Sequence, residues 1–161
     1  MSDSSAPSWA SNPDHVTIAV RDVDAAVELL GHFGFVRDHD ATIDGGAPAV
    51  YMGMPTMRAD HVTLALANAE PRFEIQLLHF TDEGGVDPAG AAPSSLTRRG
   101  MNHLALRVDD LAAAADHLRS VGVLPLNDEL DFISRKLQFF EGPEGVTIEL
   151  AEWVAPPASS T

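Results

Sequence analysis

Hydrophobic and polar residues alternate along several short segments of the chain. In the segment DHVTIAV, Val16, Ile18 and Val20 alternate with His15 and Thr17. Alternation with a period of two is typical of a β-strand that buries one face and leaves the other polar. By the same kind of reading, further strands are predicted at 35–40, 61–67, 72–80, 101–108, 123–128, 135–141 and 146–152.

Two of these strands are followed by helical patterns. After the first strand, Asp22 or Asp24 can cap a helix that continues to about Gly31, with its apolar residues at helical spacing. After the strand at 101–108, Asp109 or Asp110 can cap the helix LAAAADHLRSV, which Gly122 ends. The segment TIDGGAP, residues 42–48, predicts a turn.

The order strand, capped helix, glycine and three further strands occurs twice. When DHVTIAVRDVDAA is aligned with NHLALRVDDLAAA, His15 and His103 occupy equivalent positions, 103 − 15 = 88 residues apart. This is an internal duplication. We therefore expect a first module at 13–80 and a second at 101–154, joined by a linker loop at 81–100, with disordered tails at 1–12 and 155–161.

Composition excludes several classes of partner. Ten Lys and Arg face 24 Asp and Glu among 161 residues, and the formal charge of −14 repels nucleic acid and anionic membrane surfaces. The chain has no Cys, so any metal must be held by N and O ligands. The first residues lack the pattern of a secretory signal and no apolar run is long enough to cross a bilayer, so we expect a cytoplasmic protein.

The polar faces of the predicted strands carry the candidate chemistry. If both repeats form one continuous curved sheet, these faces line a shared concavity that contains two imidazoles, an amide and a carboxylate. Such a set can bind a divalent cation. The alternative is that these residues form the hydrated faces of ordinary antiparallel strands.

Four segments together resemble a known family. They are DHVTIAVRDVDAAVELL, RFEIQLL, GMNHLALRVDDLAAAADHLRSVG and FFEGPEGVTIELAE. They are similar to the vicinal oxygen chelate proteins, which include glyoxalase I, methylmalonyl-CoA epimerase, extradiol dioxygenases, and fosfomycin and bleomycin resistance proteins. The resemblance implies an α+β fold, in which two βαβββ modules form a curved mixed sheet around a metal-binding cup with the helices on the outside.

The resemblance also implies a set of metal ligands. His15 and Gln76 match the ligand positions of the first module, and His103 and Glu149 match those of the second. Glu74 has the same strand parity as Gln76 and is the rival ligand. Two His, one Gln and one Glu resemble the epimerase version, and the expected metal is Ni, Co, Mn, Zn or Fe(II).

Two departures from the epimerase pattern concern the substrate. The end of the chain lacks a lysine-containing turn that is associated with the epimerase. No obvious cluster of basic residues stands out for acidic groups of a substrate, although Arg98, Arg99, Arg107 and Arg135 could contribute.

The expected activity is that of a metal-dependent isomerase or lyase of glyoxalase or epimerase type. A cation held in this way would stabilise the enediolate or enolate that forms when a proton is removed next to a carbonyl. The first candidate for the base is Glu149, as the glyoxalase resemblance implies. The second is His61, whose strand parity is opposite to that of its aliphatic neighbours.

Two other functions remain open. An Fe(II) extradiol-type dioxygenase would use His15, His103 and Glu149 as a facial triad. A metal-free protein would bind a drug or small metabolite in the cup, as bleomycin resistance proteins do. In each case the partner is a small molecule, and the resemblance implies a homodimer in which each cup draws its ligands from one chain or from both.

Overall fold

The computed structural model describes residues 12–81, 100–132 and 134–154. The first module contains β1 His15–Ala19, α1 Val23–His32, β2 Phe35–Asp44, α2 Gly46–Tyr51, β3 Arg58–Leu66 and β4 Glu74–Phe80. The second contains β5 His103–Val108, α3 Leu111–Ser120, β6 Leu130–Phe132, β7 Arg135–Glu141, a 3₁₀ turn Pro143–Gly145 and β8 Thr147–Trp153. Most of the predicted tails and linker, at 1–11, 82–99 and 155–161, lies outside the described residues.

The strands form two mixed sheets of four strands each. Sheet 1 has the order β1-β4-β3-β2 and sheet 2 has the order β5-β8-β7-β6. In each sheet the first and last strands of the module pair in parallel, and the remaining pairs are antiparallel. The predicted α+β class with two repeated modules is therefore confirmed, and the strands divide between two sheets instead of forming one hydrogen-bonded sheet.

Equivalent aspartates begin the two long helices. The Asp22 carboxylate accepts a hydrogen bond from the Ala25 backbone N–H at 2.9 Å, and Asp110 accepts one from Ala113 at 2.9 Å. In each case the sequence left two aspartates open as caps. No helix in the described part of the chain is long and apolar enough to cross a membrane.

One buried cluster joins the two modules through their helix-bearing faces. It contains residues of α1, of α3 and of the apolar faces of both sheets, including Leu30, Leu64, Leu118 and Ile148. The rings of Phe33 and Phe140, one from each module, meet edge to face with centroids 6.0 Å apart. Because the helix-bearing faces share this core, the polar faces of the sheets point away from it.

A surface contact also connects the modules. Glu144, in the turn before β8, accepts hydrogen bonds from the Arg21 backbone N–H at 2.6 Å and from Arg21 Nη1 at 2.5 Å. Arg21 follows the last residue of β1, Ala19, by two positions. The contact therefore fixes the end of the first strand of one module against the turn that leads to the last strand of the other.

The predicted turn at 42–48 is wrong except at Gly45, which lies between β2 and α2. Thr42–Asp44 continue β2 and pair with Arg58–Asp60 of β3. The short helix α2 follows, and its residue Ala49 packs with Met57 and Leu78 over the far end of the polar face of sheet 1. A helix of six residues has no stable local signal, so its formation depends on this tertiary contact.

The predicted strand at 123–128 is also wrong. In this segment only Pro125 makes an isolated bridge, to Phe140, and the strand that pairs with β7 is β6. A proline has no N–H to donate to a strand ladder, which explains why pairing does not continue through this segment.

Candidate metal and substrate site

In sheet 2, an imidazole and a carboxylate are in direct contact. The Nε2 atom of His103 lies 3.0 Å from Oε2 of Glu149, whose side chain is only 8% exposed. Glu149 lies on β8, between β5 and β7, and its strand neighbours are Ala105 and Phe139. The ring of Phe139 supports His103 edge to face, with centroids 5.6 Å apart. The contact thus joins the edge strand β5 to its inner neighbour β8.

A buried hydroxyl without a partner lies on the same face. Thr147 precedes Glu149 by two residues on β8 and pairs with His103 of β5. It is 1% exposed, and its Oγ1 atom has no hydrogen-bond partner among the described residues. Buried polar atoms usually have a partner, because an unpaired one costs about 1–3 kcal/mol. Thr147 is not among the predicted site residues, although its strand parity is that of Glu149.

The GPEG turn before β8 depends on a close backbone approach. The Gly142 N–H donates to the Val146 carbonyl at 2.7 Å, and a Cβ atom at Gly142 would lie 2.7 Å from that same oxygen. A side chain at this position would push the two backbone segments apart. Gly142 therefore helps to set the register that places Thr147 and Glu149 on the polar face.

In sheet 1, an amide occupies the place equivalent to Glu149. Gln76 lies on β4, between Thr17 of β1 and Thr63 of β3. Its Oε1 atom lies 3.1 Å from Nε2 of His61, and its Nε2 atom donates to Oε2 of Glu74 at 3.4 Å. The partly buried amide is therefore oriented by two polar neighbours.

His15 and Glu74 lie opposite each other at the start of β1 and β4. The Nδ1 atom of His15 lies 2.7 Å from Oδ2 of Asp14. Glu74 accepts a hydrogen bond from Nε of Arg72 at 2.7 Å, and Arg72 also pairs with Asp38. The hydrogen bond that Arg72 donates to Glu74 is the first cause of the raised pKa of Arg72. The Glu74 carboxylate is thus hydrogen-bonded to the guanidinium of Arg72.

The predicted ligands appear as two halves. His103 and Glu149 touch in sheet 2, while Gln76 lies with His61 in sheet 1. No group of three or more His, Asp and Glu side chains among the described residues could hold a metal ion. A single ion bound by all four predicted ligands would need His15, His103 and Glu149 together. Within the described part of one chain, the four do not form a complete set.

A separate polar cleft of about 660 Å³ lies at the start of α1. Its walls include Asp22, Asp24, Arg37, Asp40, Asp60 and His79. Residues Asp60 and His79 share the strand parity of the core residues Val62 and Leu77, so the cleft lies mainly on the helix-bearing face of sheet 1. Its lining also includes His61, the partner of Gln76, but not Glu149.

The family follows from a match along most of the chain. The model of the Glyoxalase/Bleomycin resistance protein/Dioxygenase superfamily matches residues 12–150. The chain belongs to this superfamily. The match extends over both modules and includes the positions of all four predicted ligands. No protein of curated function is similar enough to count as a match.

Solved structures share the superfamily fold at low identity. A glyoxalase family protein from Bacillus cereus is 20% identical, with a TM-score of 0.78 over 93% of this chain and 100% of that one. TnmS3, an antibiotic binding protein from Streptomyces sp. CB03234, is 18% identical, with a TM-score of 0.59 over 91% and 98% of the two chains. A glyoxalase I mutant from Zea mays is 18% identical, with a TM-score of 0.62 over 89% of this chain and 46% of that one. These likenesses concern the fold alone.

Proposed function

We propose that this chain is a metal-dependent isomerase or lyase of the glyoxalase or epimerase kind, which moves a proton next to a carbonyl of a small molecule. The observation that carries the proposal is the contact between the buried Glu149 carboxylate and the His103 imidazole. Imidazole nitrogen and carboxylate oxygen are ligands that divalent transition metals accept. A buried carboxylate is also a group that can take up a proton from a substrate.

The imidazole, amide and carboxylate donors suit a divalent cation in their chemistry. Within the described part of one chain, however, too few of them come together to hold one. We propose that the set is completed in a homodimer, where the polar face of sheet 1 meets the polar face of sheet 2 of a second copy. The support is that the helix-bearing faces already pack together within the chain, which leaves both polar faces for another partner. A twofold axis would form two equivalent sites.

In this proposal each half contributes defined groups. His103 and Glu149 come from one copy, and His15 and Gln76 come from the other. Gln76 is favoured over Glu74, because Glu74 is engaged by Arg72. The metal, which is expected to be Ni, Co, Mn, Zn or Fe(II), would supply Lewis-acid stabilisation of negative charge on substrate oxygens. Glu149 would hold the transferred proton at a carboxylate oxygen, and Thr147 would offer its free hydroxyl beside it.

A subunit-mixing experiment tests the shared site. His15→Ala removes a sheet 1 ligand and Glu149→Gln removes a sheet 2 ligand, so each variant alone should bind no metal. Mixed after dissociation, the two should recover roughly a quarter of the wild-type sites, because half the dimers are mixed and each mixed dimer has one intact site. Bound metal per chain and the gain in Tm on metal addition are the measurements.

The matched control is a mixture of His15→Ala with Gln76→Ala, which should recover nothing, since both changes lie in sheet 1. Recovery that is absent from the first mixture, although its subunits exchange, would overturn the shared site. Wild-type protein that takes up none of the five metals would overturn metal dependence itself.

The reaction class has its own test. Solvent deuterium that enters a 2-oxo compound or a 2-methyl thioester, only when metal is present, supports proton transfer. Oxygen consumption with a catechol would instead identify the Fe(II) dioxygenase.

A second candidate, a metal-free small-molecule binding protein, is favoured by one observation. The described residues of a single chain do not gather three His, Asp or Glu side chains that could hold an ion. An antibiotic binding protein also shares the fold. Tight binding of a small molecule by metal-free protein, together with the failure of metal uptake, would favour this function.

A further inference from the structure

A second cluster lies on the polar face of sheet 2, at the opposite end from His103 and Glu149. Trp153 follows Glu149 by four residues on β8, and Arg107 follows His103 by four residues on β5. Arg135, on β7, is the direct strand neighbour of Trp153. Even spacing along a strand keeps side chains on one face, so the Arg–Trp cluster, formed by Arg107, Arg135 and Trp153, shares a face with the candidate site.

Both guanidinium groups lie close to the indole ring of Trp153. The Cζ atom of Arg135 lies 4.9 Å from the ring centroid of Trp153, and that of Arg107 lies 6.0 Å from it. Both distances are within the range of cation–π attraction. In the single chain Trp153 is 52% exposed, so the other described residues leave the indole accessible.

The two arginines differ from several others in the chain. Arg37, Arg72 and Arg119 each pair with an Asp or Glu side chain. Among the residues that the structure describes, neither Arg107 nor Arg135 has an ion pair with a carboxylate. In a chain of formal charge −14, two cations kept apart from carboxylates on one sheet face are a local exception. Their N–H groups are available to an external anion.

An apolar floor connects the cluster to the candidate site. Ala105, Ala151 and Leu137 lie between them on the three strands. Ala151 and Leu137 are buried, whereas Ala105 on β5 is exposed and gives the accessible part of this floor. Four residues of extended strand span about 13 Å. A small molecule could therefore lie with one end at His103 and Glu149 and the other at the Arg–Trp cluster, with an apolar part between them.

We propose that Arg107 and Arg135 bind a carboxylate of the substrate, and thereby select small organic acids whose acidic group is separated by an apolar part from the reacting carbonyl. The proposal rests on the proposed function for the reacting end of the molecule. A guanidinium offers two parallel N–H donors that match a carboxylate, and the pair of arginines opposes the repulsion that the acidic chain exerts on anions.

Tryptophan fluorescence provides a direct test. The sequence has two Trp, at 9 and 153, so Trp9→Phe leaves Trp153 as the reporter. In that background, millimolar benzoate should change the emission saturably, whereas benzamide, its neutral analogue of similar shape, should not. Calorimetric titration of the wild-type protein with both probes checks that the optical signal reports binding.

Variants assign the effect to the guanidinium groups. Arg135→Gln or Arg107→Gln should weaken benzoate binding about tenfold, and Arg135→Lys should weaken it less because the charge is kept. The matched control is Arg119→Gln on α3, where Arg119 pairs with Asp116, and it should leave the affinity unchanged. Equal affinity for benzoate and benzamide, or equal effects of Arg135→Gln and Arg119→Gln, would overturn the anion site.

The test separates this proposal from the proposed function. Glu149→Gln should abolish metal uptake and leave benzoate binding intact. Benzoate binding without metal uptake by the wild-type protein would remove the metal-dependent function and uphold the anion site. Metal uptake by a wild-type protein that binds benzoate and benzamide equally would uphold the metal-dependent function and remove the anion site.

Discussion

The Nε2 atom of His61 lies 3.1 Å from Oε1 of Gln76, across the β3–β4 ladder. When Nε2 carries the proton, it donates to the amide oxygen and leaves the second lone pair of that oxygen for another partner. Glu74 accepts from the amide nitrogen of Gln76 on its other side. We infer from this arrangement that His61 is a positioning residue for Gln76, and its role as a base stays a prediction.

Replacement of His61 should therefore affect metal affinity first. His61→Leu should lower the affinity about tenfold to a hundredfold, since residues that orient a ligand typically have effects of this size. Metal titration of the purified protein is the measurement. His79→Leu is the control, because His79 lies on the same sheet but on its helix-bearing face, near Asp60. Unchanged metal affinity with a large loss of kcat would return His61 to the role of a base.

Two glutamates on β8 allow effects on metal binding to be distinguished from effects on the stability of the fold. Glu149 points to the polar face, whereas Glu152 accepts a hydrogen bond at 2.8 Å from the Leu111 N–H, at the start of α3. Glu149→Gln should abolish metal binding and leave the Tm of the metal-free protein nearly unchanged. Glu152→Ala should keep metal binding and lower stability by about 1 kcal/mol, because it removes a helix N-terminal partner.

Metal content and thermal unfolding of the two variants are the measurements. Metal binding that survives in Glu149→Gln would contradict the ligand assignment. Its loss in Glu152→Ala, with stability unchanged, would contradict the division of roles between the two faces of β8.

The parts of the fold that the sequence predicts are those with strong local patterns. Both long helices begin at one of the two aspartates proposed for each, because side-chain capping is a local interaction. The central strands β4 and β8 match their alternating segments, because burial of one face imposes a period of two. The errors concern the six-residue helix α2, which packs against Leu78 of β4, and the three-residue strand β6, which pairs with the adjacent strand β7.

From the sequence, the placement of the candidate site residues was predictable within each module, but the way the two modules face each other was not. Strand parity places Glu149 and Gln76 on the polar faces, and the structure adds their contacts with His103 and His61. How two modules face each other depends on which apolar surfaces remain after the helices pack, and a sequence pattern does not encode this orientation. The polar faces of the two sheets lie on the sides that do not contribute to the common core, and the shared concavity that would join the four ligands stays a prediction.

That common core predicts that the two modules unfold together. Phe140 of β7 is fully buried and contacts Phe33, which follows α1 of the other module. Phe140→Leu should lower the free energy of unfolding by about 1–2 kcal/mol and leave one cooperative transition. Chemical denaturation followed by two probes is the measurement, with Tyr51→Ala as a control, since Tyr51 is 92% exposed. Two separate transitions in the variant would contradict a shared core.

The Arg37–Asp40 pair in the cleft at the start of α1 predicts a pH effect. The hydrogen bonds from Arg37, at 2.9 Å each, are the first cause that lowers the pKa of Asp40 below its usual value. A carboxyl with a lowered pKa in the folded state contributes stability above its unfolded pKa, and loses it as the pH falls through the folded pKa.

Arg37→Gln should raise the pKa of Asp40 toward the usual value and flatten the pH dependence of stability in the acid range. The effect on stability should be small because both side chains are exposed. Titration of the Asp40 carboxyl by NMR is the measurement, and Arg119→Gln is the control. An Asp40 that titrates at the same pH in the wild type and in Arg37→Gln would show that the guanidinium does not hold its charge.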